Sequence, residues 1–230
     1  MRLPTPLLVG TLNTMRLLSA RVRPGMRYLE IGCAPGKTLA WVAARCRANV
    51  VGLDYSAVGI ATCKTLFNSL GLSGELYCED VLATSLPESS FDFVFSNGVI
   101  EHFERPEEIV RAHWKLLKPG AKALIVIPNY RGIYGRLQRL FDAENLKLHN
   151  LRIMEPDNLR KLIDPRLADW IKTYPTGRIS PGLISWEQRL WQPLARLAFW
   201  TLNFSGLLQP VQIDALCPNL VLEFVRKAAE

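Results

Sequence analysis

The stretch Tyr28-Leu29-Glu30-Ile31-Gly32-Cys33-Ala34-Pro35-Gly36-Lys37-Thr38 decides the fold. Residues 26–32 are a short apolar run of strand character that stops at a glycine, and residues 36–47 follow with helical character. A glycine-rich turn between a strand and a helix lets backbone approach a bound molecule and aims N–H groups of the helix start at it. Three classes of cofactor site use that device, and the turn alone does not choose among them. Gly36-Lys37-Thr38 invites a phosphate-binding loop of the nucleotide-hydrolase kind. That loop needs a glycine at position 31, where Ile31 stands, and Gly32 leaves it one residue short. A dinucleotide fingerprint needs G-x-G-x-x-G. Its middle glycine is Ala34 here and the spacing to Gly36 is wrong, although Asp54 stands where an acidic ribose partner is expected.

Outward from this turn the chain alternates. Residues 5–21 carry Leu7, Leu8, Leu12, Met15 and Leu18 near helical spacing and read as an N-terminal helix. After the turn come a second apolar strand ending at Asp54, a helix capped by Ser56 and running to Gly71, and a third strand, Gly74 to Asp80. Phe91 to Asn97 is the fourth strand, residues 105–118 a helix stopped by Lys118-Pro119-Gly120, and Ala121 to Pro128 the fifth strand. This order implies an α/β fold, a doubly wound, Rossmann-like parallel sheet with helices on both faces and right-handed crossovers. Gly32, Asp54, Asp80 and Asn97 each fall at a strand's carboxyl end, where such sheets bind ligands.

The pattern breaks after Pro128. Residues 129–155 read as a basic, aromatic and polar insertion, residues 155–163 as a short helix, 168–175 as a sixth strand, 183–208 as an apolar helical segment and 219–227 as the closing strand. The expected organisation is one domain: residues 1–25 an N-terminal helix, 26–128 a cofactor-binding core, 129–210 acceptor-side insertions and lid, and 211–230 the closing strand.

With 230 residues, 49% hydrophobic and 21% charged, the composition is that of a folded globular chain. The net charge of +7 is spread along it: residues 1–130 hold 14 Lys and Arg against 11 Asp and Glu, residues 131–230 hold 14 against 10. That even spread argues against a nucleic-acid partner. Five cysteines without C-x-x-C spacing give neither a zinc knuckle nor a disulfide framework and fit a reducing cytoplasm. Pro4 and Pro6 interrupt any leader-like apolar run. Glu187, Arg189, Pro193 and Arg196 interrupt residues 183–208 as a membrane span, which leaves a peripheral membrane contact through that segment open.

Several segments taken together carry a resemblance. Glu30-x-Gly32-x-x-x-Gly36, Asp54 closing the second strand, Glu79-Asp80-Val81 after the third, residues 91–103 (FDFVFSNGVIEHF) and residues 116–129 (LLKPGAKALIVIPN) resemble, in order, the motifs of class I S-adenosylmethionine-dependent methyltransferases of the small-molecule, type 11-like branch. The resemblance covers about residues 26–128 and departs from the family at Ala34, which replaces a glycine. It implies a seven-stranded sheet with an antiparallel last hairpin and S-adenosylmethionine as cofactor, leaving S-adenosylhomocysteine as product. It also implies a cofactor site drawn from Glu30, Gly32, Cys33, Ala34, Gly36, Asp54, Tyr55, Asp80, Val81 and Asn97, with no metal. A carboxylate is a two-oxygen acceptor suited to a cis-diol, the role of Asp54; Asp80 suits an exocyclic amine.

Methyl transfer mainly asks a protein to position an acceptor and exclude water, and a base is required only for an acceptor that must lose a proton. His102 and His149 are the candidate bases; His113, inside a helix, is read as structural or exposed. Trp186, Trp191 and Trp200 with Arg131, Arg136 and Arg139 suggest a small, amphiphilic or lipid-linked acceptor, with oxygen the favoured atom, or else a helix packed on the sheet or a homodimer interface. The alternatives are a nucleotide hydrolase, a cofactor-binding module without turnover, and a C-methyltransferase of a quinone-type acceptor.

Overall fold

The computed structural model describes residues 8–228. Seven strands form one sheet in the order β3-β2-β1-β4-β5-β7-β6. These are β1 Arg27–Ile31, β2 Asn49–Asp54, β3 Glu75–Cys78, β4 Phe91–Asn97, β5 Leu117–Pro128, β6 Ala168–Thr176 and β7 Asn219–Arg226. Strands β1 to β5 pair in parallel, and β7 runs antiparallel to both β5 and β6. The doubly wound, Rossmann-like sheet and its antiparallel last strand are therefore as the sequence leads one to expect.

Strand alternation sorts the core into two layers. From β1, Leu29 and Ile31 pack on one face against α4 Pro106–Leu116 and α7 Pro156–Arg160. Tyr28 points to the other face, where Leu18 of α1 Val9–Ser19, Leu39 of α2 Lys37–Trp41, and Ile60, Cys63 and Phe67 of α3 Ala57–Leu70 cover it. The Tyr28 ring stacks on Phe93 at 6.0 Å between centroids, which locks β1 to β4. Local chemistry sets the helix ends. The Ser56 hydroxyl accepts from Gly59 N at 3.0 Å to start α3, while α4 opens on Pro106 with Glu107 and Glu108 in its first turn.

Beyond β5 the structure departs from the sequence-based outline. The basic, aromatic and polar insertion at 129–155 holds α5 Gly132–Phe141, α6 Ala143–Lys147 and a 3-10 turn, Leu151–Met154, which the sequence reading did not assign. The expected helix at 36–47 divides into α2 and a wider π turn, Val42–Cys46. In the apolar segment only α8 Gln192–Leu208 is an α-helix; Pro193, which reads as a break, lies in its first turn, where a missing N–H costs no hydrogen bond. The sixth strand expected at 168–175 is present as β6, a member of the sheet within the span 129–210. Residues 5–7 of the expected N-terminal helix lie outside the described residues.

A buried carboxylate fastens α1 to the far side of the sheet. Glu223 on β7 accepts from Arg21 Nε and Nη2, both at 2.8 Å, and from the Tyr174 hydroxyl at 2.7 Å, with Lys122 Nζ at 3.1 Å. Burial opposes its charged form, but these donors outweigh it and hold its pKa at about 2. Because the folded value lies below the unfolded one, the stabilisation is present above about pH 4.5 and is lost as pH falls towards about 2. Replacing Glu223 by Ala leaves Arg21 and Lys122 without this acceptor and is expected to cost about 3 kcal/mol. Urea unfolding at pH 7 checks the cost. The difference from the parent chain should shrink as the pH is taken below 4.

Candidate active site

The strand order reverses between β1 and β4, and the crevice at their carboxyl ends is where an open sheet of this kind binds ligands. Gly32 ends β1 with φ +72°, a conformation that disfavours L side chains, and a Cβ added there would lie 2.5 Å from Val99 Cγ2. Gly32 N and Cys33 N both donate to Leu53 O, at 2.8 and 3.2 Å, which draws the turn against β2. The Asp54 carboxylate then accepts from Ala34 N at 3.0 Å on one oxygen and from Ser56 N at 2.9 Å on the other. Each oxygen keeps acceptor capacity for a ligand.

A cleft of about 650 Å³ opens here. Gly32, Ala34, Asp54, Tyr55, Asp80, Val81 and Asn97 line it, and so does His102. Asp80 sits on the rim, where one carboxylate oxygen accepts from Leu82 N at 2.9 Å. Sequence reasoning missed part of the wall: Ile31, Leu53, Ser56, Gly98, Val99 and Phe103 also line the cleft. All are neighbours of expected positions, so strand-end adjacency is the signal that would have found them.

Three of the expected cofactor residues do not line the cleft. Glu30 is buried behind it, accepting from the Tyr28 hydroxyl at 3.4 Å, and burial raises its pKa well above the ordinary value. Cys33 is buried in the layer beneath α3. Gly36, at φ +89°, has a packing reason: a Cβ there would lie 2.9 Å from Cys63 Sγ, so the glycine lets α2 and α3 approach. Lys37 and Thr38 line a separate cavity of about 360 Å³ between α1, α2 and the turn at 180–183, which meets the larger cleft at Asn97. The nucleotide-hydrolase alternative finds no support there.

At the other end of the cleft, β4 leads into a 3-10 turn, Ile100–His102, and the two candidate bases come together. The His102 and His149 rings lie 4.7 Å apart, centroid to centroid. His102 Nδ1 is 3.2 Å from Leu148 O, His149 Nδ1 is 2.8 Å from Asn145 O, and Tyr130 meets His149 edge-on at 5.2 Å. Between them and the sheet lies Glu101, 1% exposed, with Oε1 4.0 Å from His102 Nε2 and Oε2 without any hydrogen-bond partner among the described residues. Burial pushes its pKa up to about 7, and burial lowers that of His149. Asn150 N donates to Glu101 O at 2.7 Å and pins the segment after α6 over the end of β4. His113 is structural: it is fully buried between Ile109 O at 2.8 Å and Ser96 Oγ at 2.9 Å, and burial lowers its pKa to about 4.

Residues 29–125 match the family described as Methyltransferase domain. Phosphoethanolamine N-methyltransferase 1 of Arabidopsis thaliana is 32% identical over 104 residues, covering 45% of this chain and 21% of that protein. A ubiquinone biosynthesis O-methyltransferase of Rhizobium etli is 33% identical over 130 residues, covering 56% of this chain and 51% of the relative. The chain thus spans between a fifth and a half of the length of these curated relatives. Among solved structures, Haemonchus contortus phosphoethanolamine N-methyltransferase 2 in complex with S-adenosyl-L-methionine superposes with a TM-score of 0.66 at 19% identity, over 94% of this chain and 52% of that one. The sheet order, the cleft at its switch point and the match over residues 29–125 agree: that segment is similar to the methyltransferase-domain family, and the chain shares the fold of the structure solved with S-adenosyl-L-methionine.

Proposed function

We propose that the chain transfers a methyl group from S-adenosylmethionine to a hydroxyl of a small, amphiphilic metabolite, leaving S-adenosylhomocysteine. The observation that carries this reading is one cleft with the Asp54 carboxylate in its wall and His102 at its far end. The residues present fit the cofactor. The volume suits a molecule of that size, the backbone at Gly32 leaves no room for a side chain, and the acceptors at Asp54 and Asp80 match a ribose diol and an adenine amine. When bound, the cofactor supplies the activated methyl group.

The chain's own residues do the rest. Asp54 holds the ribose hydroxyls and, through Ala34 N, keeps the turn in place. Asp80, Tyr55 and Val81 frame the adenine end, and Asn97 stands where the cleft meets the second cavity. His102 would take the acceptor's proton, with the tilted ring of His149 4.7 Å from its own.

The acceptor side is closed by α5 and α8, which share an apolar cluster of Tyr134, Ile184, Trp186 and Ala195. The outer surface of α8 is also apolar: Trp191, Leu194, Leu197, Trp200, Phe204 and Leu208 are exposed, with Trp191 at 74% and Leu208 at 80%. Arg136, Arg139, Arg189 and Arg196 are exposed on the same two elements and their approach. An apolar helix face flanked by arginines suits the interface of an anionic membrane. Among the described residues no helix is long and apolar enough to cross a membrane. This face is therefore proposed as a peripheral contact that brings a lipid-linked acceptor to the cleft.

Titration calorimetry with S-adenosylmethionine and S-adenosylhomocysteine, with ATP and NAD as controls, tests the cofactor. Both should bind, Asp54→Ala should weaken them on the order of 100-fold, and Lys37→Ala should have little effect. ATP binding alone would overturn the reading. His102→Ala should keep cofactor affinity and lower kcat on the order of 10²- to 10⁴-fold for a hydroxyl acceptor. Sedimentation with phosphatidylglycerol vesicles should carry the chain down, and Leu197→Glu with Phe204→Glu should release it. A dimer in light scattering that the same pair of substitutions dissolves would assign the face to a second copy instead.

A further inference from the structure

His102 and His149 are the candidate bases, and together with the buried Glu101 they are also arranged as a ligand set. We propose that these three side chains form a binding site for a divalent transition metal of the zinc class, at the acceptor end of the cleft. One ligand atom from each lies within 4.8 Å of the others. Ligands about 2.1 Å from a tetrahedral zinc stand about 3.4 Å apart, so the 4.0 Å between His102 Nε2 and Glu101 Oε1 closes with a small side-chain rotation.

Two independent features point the same way. First, both imidazoles are oriented as metal ligands usually are. A backbone carbonyl can only accept, so Leu148 O and Asn145 O each place a proton on Nδ1 of the neighbouring ring, and in the neutral form of each ring Nε2 then carries the lone pair. Second, Glu101 is 1% exposed and its Oε2 has no hydrogen-bond partner among the described residues. A buried carboxylate oxygen without a donor is an acceptor awaiting a partner, and a cation between two neutral imidazoles would be one.

Two imidazoles and one carboxylate satisfy three positions and leave at least one open. His102 lines the cleft, so the open position faces the space where an acceptor would sit. A hydroxyl coordinated there loses its proton to solvent at a lower pH than a free one, and the cation then does the work that the histidines do as bases in its absence. This role rests on the hydroxyl acceptor proposed above; the binding of metal does not.

The test uses the untagged chain stripped with a chelator and titrated with Co²⁺ and Zn²⁺. One equivalent of Co²⁺ should bind, with the visible absorption of a low-coordinate site, and Zn²⁺ should displace it. His102→Ala, His149→Ala and Glu101→Gln should each weaken Zn²⁺ by more than about tenfold, while Cys78→Ser, which removes the exposed thiol, should not. His149→Ala lies off the cleft and should still bind S-adenosylhomocysteine, which shows that it is folded. A chain that binds S-adenosylhomocysteine but no Co²⁺, or whose Co²⁺ affinity survives all three substitutions, overturns the metal site. A chain that binds Co²⁺ through these residues but not the cofactor overturns the proposed function and leaves the metal site standing.

Discussion

Two backbone N–H groups converge on the Asp54 carboxylate, Ala34 N from the glycine turn and Ser56 N from the start of α3. Much of the site depends on that convergence. It holds the β1 turn against the end of β2, which fixes where Gly32 stands relative to Val99 and hence the back wall of the cleft. It also leaves the carboxylate pre-oriented, so a diol finds its acceptors in place and little ordering remains to be done on binding. The substitution of Ala34 for a glycine is compatible with this, because the position contributes its N–H while its side chain packs beside Gly59 of α3.

Gly32, Asp54, Asp80 and Asn97 were legible because strand ends are marked locally, by an apolar run and the residue that stops it. The doubly wound parallel sheet was legible in the β-α alternation and handedness, which left few topologies, while the antiparallel last hairpin came from the family resemblance. Glu30, Cys33 and Gly36 belong to the same motif, yet which way their atoms face depends on Tyr28 and Cys63, side chains that the motif does not contain. The pairing of His102 with His149 was beyond a local reading, since 46 residues separate His102 from Leu148, whose carbonyl fixes its ring. Helix α5 was obscured by Gly132 and Gly135, which lower helix propensity, although Tyr134, Leu137 and Phe141 pack together with α8. In the apolar helical segment, Pro193 marks the first turn of α8, a start that the apolar pattern from Leu183 onward does not reveal.

The elements around the cleft are bound to one another as well as to the sheet. Val9 N donates to Asn203 Oδ1 at 2.9 Å, Arg178 donates to Leu207 O at 3.1 Å, and Tyr134 donates to Leu216 O at 3.2 Å. Val9 thus ties α1 to α8, α5 joins α8 through their shared apolar cluster, and Leu18 anchors α1 in the core layer on the sheet.

The placement of β7 has a consequence for how the chain is made. In sequence it follows β6, but in the sheet it is inserted between β5 and β6 and pairs along most of its length with both. During synthesis β5 emerges with its outer edge of N–H and C=O groups unpaired, and β6, whose partner in the sheet is β7, has no strand to join. Both are paired only once residues 219–226 have followed residues 177–218, α8 included, out of the ribosome. The nascent chain thus carries two open strand edges and an apolar helix at the same time, the circumstance in which folding intermediates associate and chaperones engage.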